Sequence, residues 1–178
     1  TNPSEITTAA IAKHMSLTQG ALFRHFPSKD ALWESVMAWV AERLLARIDR
    51  DTSKIDAPLL ALRSMFMSHV EFVIEHPGVP RMMFGELQRS EATAAKRMAR
   101  TLIGNYAKRV RTRIEQGRKN GDISKKVDPD AAATLFIGMI QGLVMQSMLS
   151  GEIAQIRHQA PGVFAIFEQG LRGVEASS

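Results

Sequence analysis

The sequence predicts an all-α protein, because apolar residues recur at helical spacing along the chain and strand signals are nearly absent. Apolar side chains return every three or four residues, and we find no sustained period-2 alternation, no Asn-Gly hairpin turn and no internal repeat. Proline and glycine fall between these stretches, where they end one helix and begin the next. Amphipathic helices must bury their apolar stripes against one another, which favours a helical bundle.

Two short helices and one long helix are predicted first, at about residues 7–15, 19–26 and 29–49. Thr18 can cap the second helix, and Pro27 stops it because proline cannot continue the backbone hydrogen-bond ladder. The long helix spans on the order of 30 Å at ~1.5 Å per residue. Its apolar stripe repeats every four residues at Leu32, Val36, Val40, Leu44 and Ile48.

A polar segment, residues 50–54, follows the long helix, and we place a domain boundary there. Residues 1–49 then form a small N-terminal domain with its linker helix, and residues 50–178 form a larger one. We expect five or six helices in the larger domain. Five are placed by their apolar stripes and by flanking proline or glycine, at about residues 56–76, 80–88, 91–119, 129–151 and from 161 onwards.

The composition is that of a globular protein, with 45% hydrophobic and 23% charged residues and a net charge of +5. The absence of cysteine excludes disulfides, thiol nucleophiles and thiolate metal sites. No signal peptide is visible, so a cytoplasmic location is expected. Residues 131–149 carry no charge, but Gln141, Gln146 and Ser147 favour a helix buried in a soluble bundle over a membrane span.

Two short helices joined by a tight turn are typical of a helix-turn-helix. Its second helix must enter a DNA major groove ~12 Å wide, and small residues on its leading edge, here Gly20 and Ala21, let the backbone approach the bases. The polar side chains on or beside this helix suit bases or phosphates. They are Gln19 for adenine, Arg24 for guanine or phosphate, and His25 and Lys29 for phosphate.

The run ITTAAIAKHMSLTQGALFRHFPSKDAL, residues 6–32, resembles the DNA-binding segment of the TetR (tetracycline-repressor) family, and the core at 21–32 is highly specific. The resemblance implies an N-terminal helix-turn-helix, followed by a helical bundle for ligand binding and dimerisation. It also implies a double-stranded DNA operator of pseudo-palindromic sequence. By position, it implies DNA contacts from Thr8, Thr18, Gln19, Gly20, Ala21, Phe23, Arg24, His25 and Lys29.

Three departures from the family pattern stand out. Phe23 replaces a common tyrosine, so one phenol-to-phosphate hydrogen bond is lost. Ser16 replaces the usual turn glycine, so this residue is expected to adopt an uncommon positive φ. The sequence begins only a few residues before Thr7, so the helix that normally precedes the first of the two short helices is not expected within it.

A small apolar effector is expected to bind within the larger domain. The chain has ten methionines, a residue that fills irregular cores and also lines adaptable pockets. His69 lies on the apolar face of its helix, where it is either a core residue or a polar contact to the ligand. The candidate ligand-binding residues are Phe66, His69, Met83, Tyr106, Met139 and Gln141.

A homodimer is expected to form through the last two long helices, as a four-helix bundle. Small residues at four-residue spacing permit close helix approach, and aromatic residues supply apolar area. The candidate interface residues are Thr134, Gly138, Gly142, Phe164, Phe167 and Leu171.

These observations favour a sequence-specific repressor that a small molecule releases from DNA. A protein partner could control the chain instead, and a helical enzyme with a misleading motif is a third hypothesis. Because no catalytic constellation or phosphate loop is visible, we expect no enzyme activity and no cofactor. His69 and His76 lie two helical turns apart, too far for one metal ion without further ligands, so no metal site is expected.

Overall fold

A computed structural model describes residues 18–173, apart from the side chains of Gln19, Leu22 and Phe23. This part of the chain contains seven α-helices, one 3-10 helix and no strand, which confirms the all-α prediction. The helices are α1 (Gln19–His25), α2 (Lys29–Thr52), α3 (Pro58–Glu75), α4 (Gly78–Leu87), α5 (Ala94–Asn120), α6 (Pro129–Ser150) and α7 (Ile156–Arg172). The 3-10 helix, Ile153–Gln155, leads directly into α7.

Short polar side chains cap several of the helices, among them the helix for which the sequence indicates Thr18. The Thr18 hydroxyl oxygen accepts a hydrogen bond from the Ala21 amide at 3.1 Å, at the start of α1. Ser28 does the same for the amide of Ala31 at 3.1 Å, at the start of α2. At α6, the Asp128 carboxylate accepts from the amide two residues ahead at 2.9 Å. Each bond satisfies a backbone donor that lacks a partner within its helix.

The last helix begins earlier than we expected, because Pro161 lies inside α7 instead of at its start. A proline removes one backbone donor, and apolar packing can outweigh this loss. Ile156 and Ala160, both fully buried, carry the apolar stripe of α7 through the proline. The prediction at this boundary was therefore wrong, since it weighed the proline above the burial of the residues before it.

The described residues form two compact units that do not follow the order of the chain. The first unit holds the residues before Leu44 together with Gly78–Leu102, and the second holds Leu44–Pro77 with the residues from Ile103 onwards. Helices α2 and α5 each contribute to both units. The division into domains at residue 50 remains a prediction, whereas the compact units group α4 and the start of α5 with the N-terminal residues.

In the first unit, α2 supplies much of the core. Leu32, Met37 and Val40 are buried, and Met82 of α4 and Ala95 of α5 are buried as well. Met37 does not belong to the four-residue repeat seen in the sequence, since the buried face of α2 is broader than a single stripe.

In the second unit, aromatic rings form the centre of the core. The Phe66 ring lies 5.5 Å from the rings of both Phe136 and Phe164, and Phe136 lies 5.7 Å from Phe167. Tyr106 meets Phe136 edge-on at 5.9 Å. Offset and edge-to-face pairs of this kind contribute about 0.5–1.5 kcal/mol each beyond the area that they bury.

Helix α6 is long and apolar enough to span a membrane by length and composition, the one such helix among the described residues. Its most apolar stretch is 44% buried within the protein. Phe136, Ile137 and Ile140 are buried on one face, where α6 packs against α3 and α7. These contacts agree with the expected core helix of a bundle.

Candidate nucleic-acid interface and ligand-binding core

The α1 helix presents an open face of small and basic residues. Gly20, Arg24 and His25 are exposed, and Ala21 is partly exposed. A Cβ atom at Gly20 would meet nothing within 4 Å, so packing within the described protein does not require glycine there. A glycine on an open helix face instead suits close approach of a backbone to another molecule.

Lys29 is the first residue of α2, and its Nζ lies 5.9 Å from the centroid of the Trp33 ring. Free backbone N–H groups and the helix dipole give this end of α2 a partial positive charge, so a lysine here adds like charge. A bound anion would relieve that repulsion and accept hydrogen bonds from the free N–H groups. The start of α2 therefore suits a DNA phosphate.

Thr18 can donate one hydrogen bond while it caps α1. Its oxygen accepts from the Ala21 amide, and its hydroxyl hydrogen can still be donated to a phosphate oxygen. Several predicted features fall outside the described residues. They are Thr8, the backbone of Ser16 and the side chains of Gln19 and Phe23.

His69, Tyr106 and Phe66 lie in the aromatic core of the second unit. The Tyr106 hydroxyl donates to the Met65 carbonyl oxygen at 3.3 Å, and its burial raises the pKa of the phenol. The His69 ring centroid lies 5.3 Å from that of Tyr106. Although His69 as a residue is partly exposed, its Nδ1 is buried and has no hydrogen-bond partner among the described residues. Burial lowers the pKa of His69 to about 4, so the imidazole is neutral at pH 7.

The other predicted ligand residues do not all join this cluster. Met139 is partly exposed and Gln141 is exposed, both on α6. Met83 belongs to the first unit, where it lines a cavity of about 10 Å³, room for about one water molecule. The cavity is lined by Met37, Met83, Glu86, Leu87, Ala95, Lys96 and Ala99.

Sequence reasoning missed Glu86, a buried carboxylate that lines this cavity. Its Oε2 accepts a hydrogen bond from the Thr93 hydroxyl at 2.9 Å, and Arg89 lies 3.4 Å from its Oε1. The signal in the sequence is weak, since a glutamate near the end of a short helix is usually solvated. Residues of other helices, such as Met37 and Ala99, line the same cavity, so the burial of the carboxylate depends on the fold.

The predicted dimer residues separate into two groups. Phe164, Phe167 and Leu171 are 1%, 4% and 3% exposed within the single subunit, so they pack its own core and have no area left for a second copy. This corrects the role that we gave to them. Thr134 and Gly138 are exposed and Gly142 is partly exposed, as an interface requires.

Large apolar side chains remain exposed on the same two helices. Leu135, Met145 and Leu149 of α6 are 57%, 42% and 81% exposed, and Ile166 of α7 is 73% exposed. A Cβ atom at Gly138 or Gly142 would meet nothing within 4 Å, so neither glycine is needed for packing inside the described subunit. A surface of this kind is typical of helices that pack against a further helix.

Two sequence models of known families match this chain. Residues 2–36 match "Bacterial regulatory proteins, tetR family", and residues 86–162 match "Tetracyclin repressor-like, C-terminal domain". Among curated proteins, the chain is 27% identical over 139 residues to the nucleoid occlusion factor SlmA of Vibrio cholerae, covering 78% of this chain and 71% of the relative. It is 28% identical over 161 residues to SlmA of Shewanella woodyi, covering 84% and 77%.

Solved structures share the fold at low identity. The transcriptional regulator FadR from Bacillus subtilis, in complex with stearoyl-CoA, superposes with a TM-score of 0.81 at 15% identity, over 94% of this chain and 90% of that one. The ketosteroid transcriptional regulator KstR2 of Mycobacterium tuberculosis gives a TM-score of 0.78 at 19% identity, over 95% and 86%. With the helix order and both matched segments, these comparisons show that the chain belongs to the TetR family of transcription regulators.

Proposed function

We propose that this protein is a sequence-specific repressor of transcription that a small apolar molecule releases from its operator. The observation that carries the proposal is the start of α2, where Lys29 and free backbone N–H groups follow the open face of α1. That pairing suits a helix in the major groove beside an anchored phosphate. The same residues lie within the segment that matches the tetR family model.

The DNA is double-stranded and of pseudo-palindromic sequence, because a two-fold dimer presents two identical recognition helices. In such a dimer, the two α1 helices lie ~34–36 Å apart, one turn of DNA. Gln19 and Arg24 read bases, whereas Thr18, His25 and Lys29 hold phosphates. The protein acts in the cytoplasm, where the chromosome is.

The effector is an apolar molecule with at least one hydrogen-bonding group. His69 supports this class, because a buried Nδ1 without a partner costs on the order of 1–3 kcal/mol until something satisfies it. The Tyr106 ring beside His69 offers apolar contact, and it is linked through Phe136 to the ring of Phe66. Methionines such as Met139 can move to admit a ligand, because their side chains are unbranched and flexible.

A protein partner is the second candidate for control of this chain. It is favoured by the relatives described as nucleoid occlusion factors, a name that points to a role other than metabolite sensing. Leu60 of α3 and Leu87 of α4, 60% and 59% exposed, offer apolar contact area outside the α6 and α7 surface. Under this alternative, the aromatic core around Phe66 is structural and binds no small molecule.

Selection from a random pool of DNA duplexes, followed by sequencing, tests the core of the proposal. We expect the protein to enrich one pseudo-palindromic motif, and an Arg24→Ala variant to enrich it less sharply. If the unmodified protein enriches no motif, the proposed function is wrong. Melting curves recorded with a panel of apolar compounds then separate the two modes of control. A compound that raises the melting temperature and lowers affinity for the selected duplex supports the small-molecule mode.

A further inference from the structure

Arg89, in the turn between α4 and α5, reaches back to the first turn of α2. Its NH1 atom donates to the Asp30 carboxylate at 2.7 Å, although the two residues are 59 positions apart in sequence. The same NH1 atom lies 3.4 Å from Glu86 Oε1, and NH2 lies 3.4 Å from the Glu91 carboxylate. All four residues belong to the first compact unit.

The turn that carries Arg89 is itself fixed from two sides. Lys96 donates its ammonium group to the Arg89 backbone carbonyl. Glu86, buried at 7% exposure, accepts from the Thr93 hydroxyl at 2.9 Å, which ties the end of α4 to the start of α5. The contacts of the guanidinium with Glu86 and Glu91 already restrict the Arg89 side chain, so it loses little further entropy when it pairs with Asp30. The ion pair between Arg89 and Asp30 is therefore better ordered than a pair formed by two mobile surface side chains.

Asp30 places a negative charge close to the proposed phosphate site. It directly follows Lys29 in the first turn of α2, at the helix end that suits a phosphate. An acidic residue there stabilises the helix itself but repels a phosphate that approaches the same N–H groups. Arg89 makes its shortest ion pair with Asp30, at 2.7 Å against 3.4 Å for Glu86 and Glu91, so it offsets part of the Asp30 charge that opposes Lys29.

We propose that Arg89 is a positioning residue for DNA binding, which acts through Asp30 on the start of α2. By pairing with Asp30, it reduces a repulsive charge beside the phosphate and ties the first turn of α2 to the turn between α4 and α5. This inference rests on the proposed DNA-binding function. It adds a residue 60 positions after Lys29 to those that determine affinity, although Arg89 itself touches no DNA.

A double-mutant cycle on the intact protein tests this assignment. Fluorescence anisotropy would measure affinity for a duplex enriched from a random pool and for a scrambled duplex of equal length and composition. We expect Arg89→Met to weaken binding to the enriched duplex about tenfold, because Asp30 is left unpaired beside a phosphate. Asp30→Asn removes the repulsive charge, so Arg89→Met added to Asp30→Asn should weaken binding less than about threefold further.

Two further variants serve as controls. Arg81→Met removes the same charge from an exposed residue of α4 that makes no ion pair among the described residues, and should change affinity less than about twofold. Arg89→Lys keeps the charge and should recover most of the lost affinity. Hydrogen exchange of the peptide at residues 29–36 should be faster in Arg89→Met, with the melting temperature showing that the fold is retained.

Equal losses from Arg89→Met with and without Asp30→Asn would overturn the inference, as would no loss at all. In either case, enrichment of a motif by the unmodified protein would leave the proposed function standing. Failure of the unmodified protein to bind either duplex would overturn both proposals together.

Discussion

His69 places a neutral imidazole against the ring of Tyr106, with Nδ1 buried and unpartnered among the described residues. Because burial lowers the pKa of His69 to about 4, the unfolded chain takes up a proton at higher pH than the folded protein does. The contribution of His69 to stability is therefore retained above the unfolded pKa of about 6.5 and is lost as the pH falls from there towards 4.

We predict that acidification from pH 7 to pH 5 destabilises the protein by about 2 kcal/mol through this residue alone. Urea unfolding at the two pH values would measure the loss, and a His69→Phe variant should lack that part of it. His158→Gln, which alters an exposed histidine of α7, is the matched control and should lose stability as the unmodified protein does. An equal pH dependence in the His69→Phe and unmodified proteins would contradict the burial of a neutral imidazole.

At the scale of elements, the proposed function divides DNA recognition between α1 and the start of α2. Contacts from α1 to base edges determine which DNA sequence is preferred, whereas contacts to phosphate strengthen the binding of all DNA sequences equally. We predict that Gln19→Ala and Arg24→Ala each cost ~1–3 kcal/mol on the enriched duplex and relax its sequence preference. Lys29→Ala should weaken binding to enriched and scrambled duplexes equally.

The salt dependence of binding separates these roles. Lys29→Ala should reduce the slope of log K against log salt by about one, because one fewer phosphate counterion is released on binding. Gln19→Ala, which removes no charge, serves as the control and should leave the slope unchanged. An unaltered sequence preference in both α1 variants would show that other residues read the bases.

Helix order could be predicted because the longer helices carry their own apolar stripes and several helices begin at a polar cap, as Thr18 and Asp128 show. The start of α7 could not, since a proline is a local signal and the burial of Ile156 depends on the rest of the fold. The pairing of Arg89 with Asp30 could not be predicted from the sequence either. Both residues are charged and lie far apart in sequence, so no period or spacing links them.

At the scale of the whole molecule, an apolar stripe indicates that a helix face is buried. It does not indicate whether the same subunit or a second copy buries that face. Phe164, Phe167 and Leu171 form a regular stripe and are buried by their own subunit. The side chains left for a second copy lie on the opposite faces of the same helices, where the sequence shows small residues among large ones. Sequence periodicity identifies both faces of these helices. Only the fold shows which face packs within the subunit and which face stays exposed.

We predict that the protein is a dimer at micromolar concentration and that the exposed faces of α6 and α7 form the interface. Ile166, 73% exposed, should then lie buried between the subunits, since an apolar side chain of that size gains about 1.5–3 kcal/mol from full burial. Ile166→Lys should raise the dimer dissociation constant at least about tenfold. Gly142→Leu should act in the same direction by separating the α6 helices, since a Cβ atom added at this position meets nothing within 4 Å in its own described subunit.

Leu60→Lys provides the matched control, since Leu60 is 60% exposed on α3, outside the α6 and α7 surface. Light scattering across a concentration series should show the Leu60→Lys variant as a dimer wherever the unmodified protein is one. Loss of the dimer should also weaken DNA binding, because a single α1 helix reads only half of a pseudo-palindromic site. The Ile166→Lys variant should therefore bind the enriched duplex more weakly even though every DNA-contacting residue is intact. A monomeric unmodified protein, or equal dissociation in the Ile166→Lys and Leu60→Lys variants, would rule out this interface.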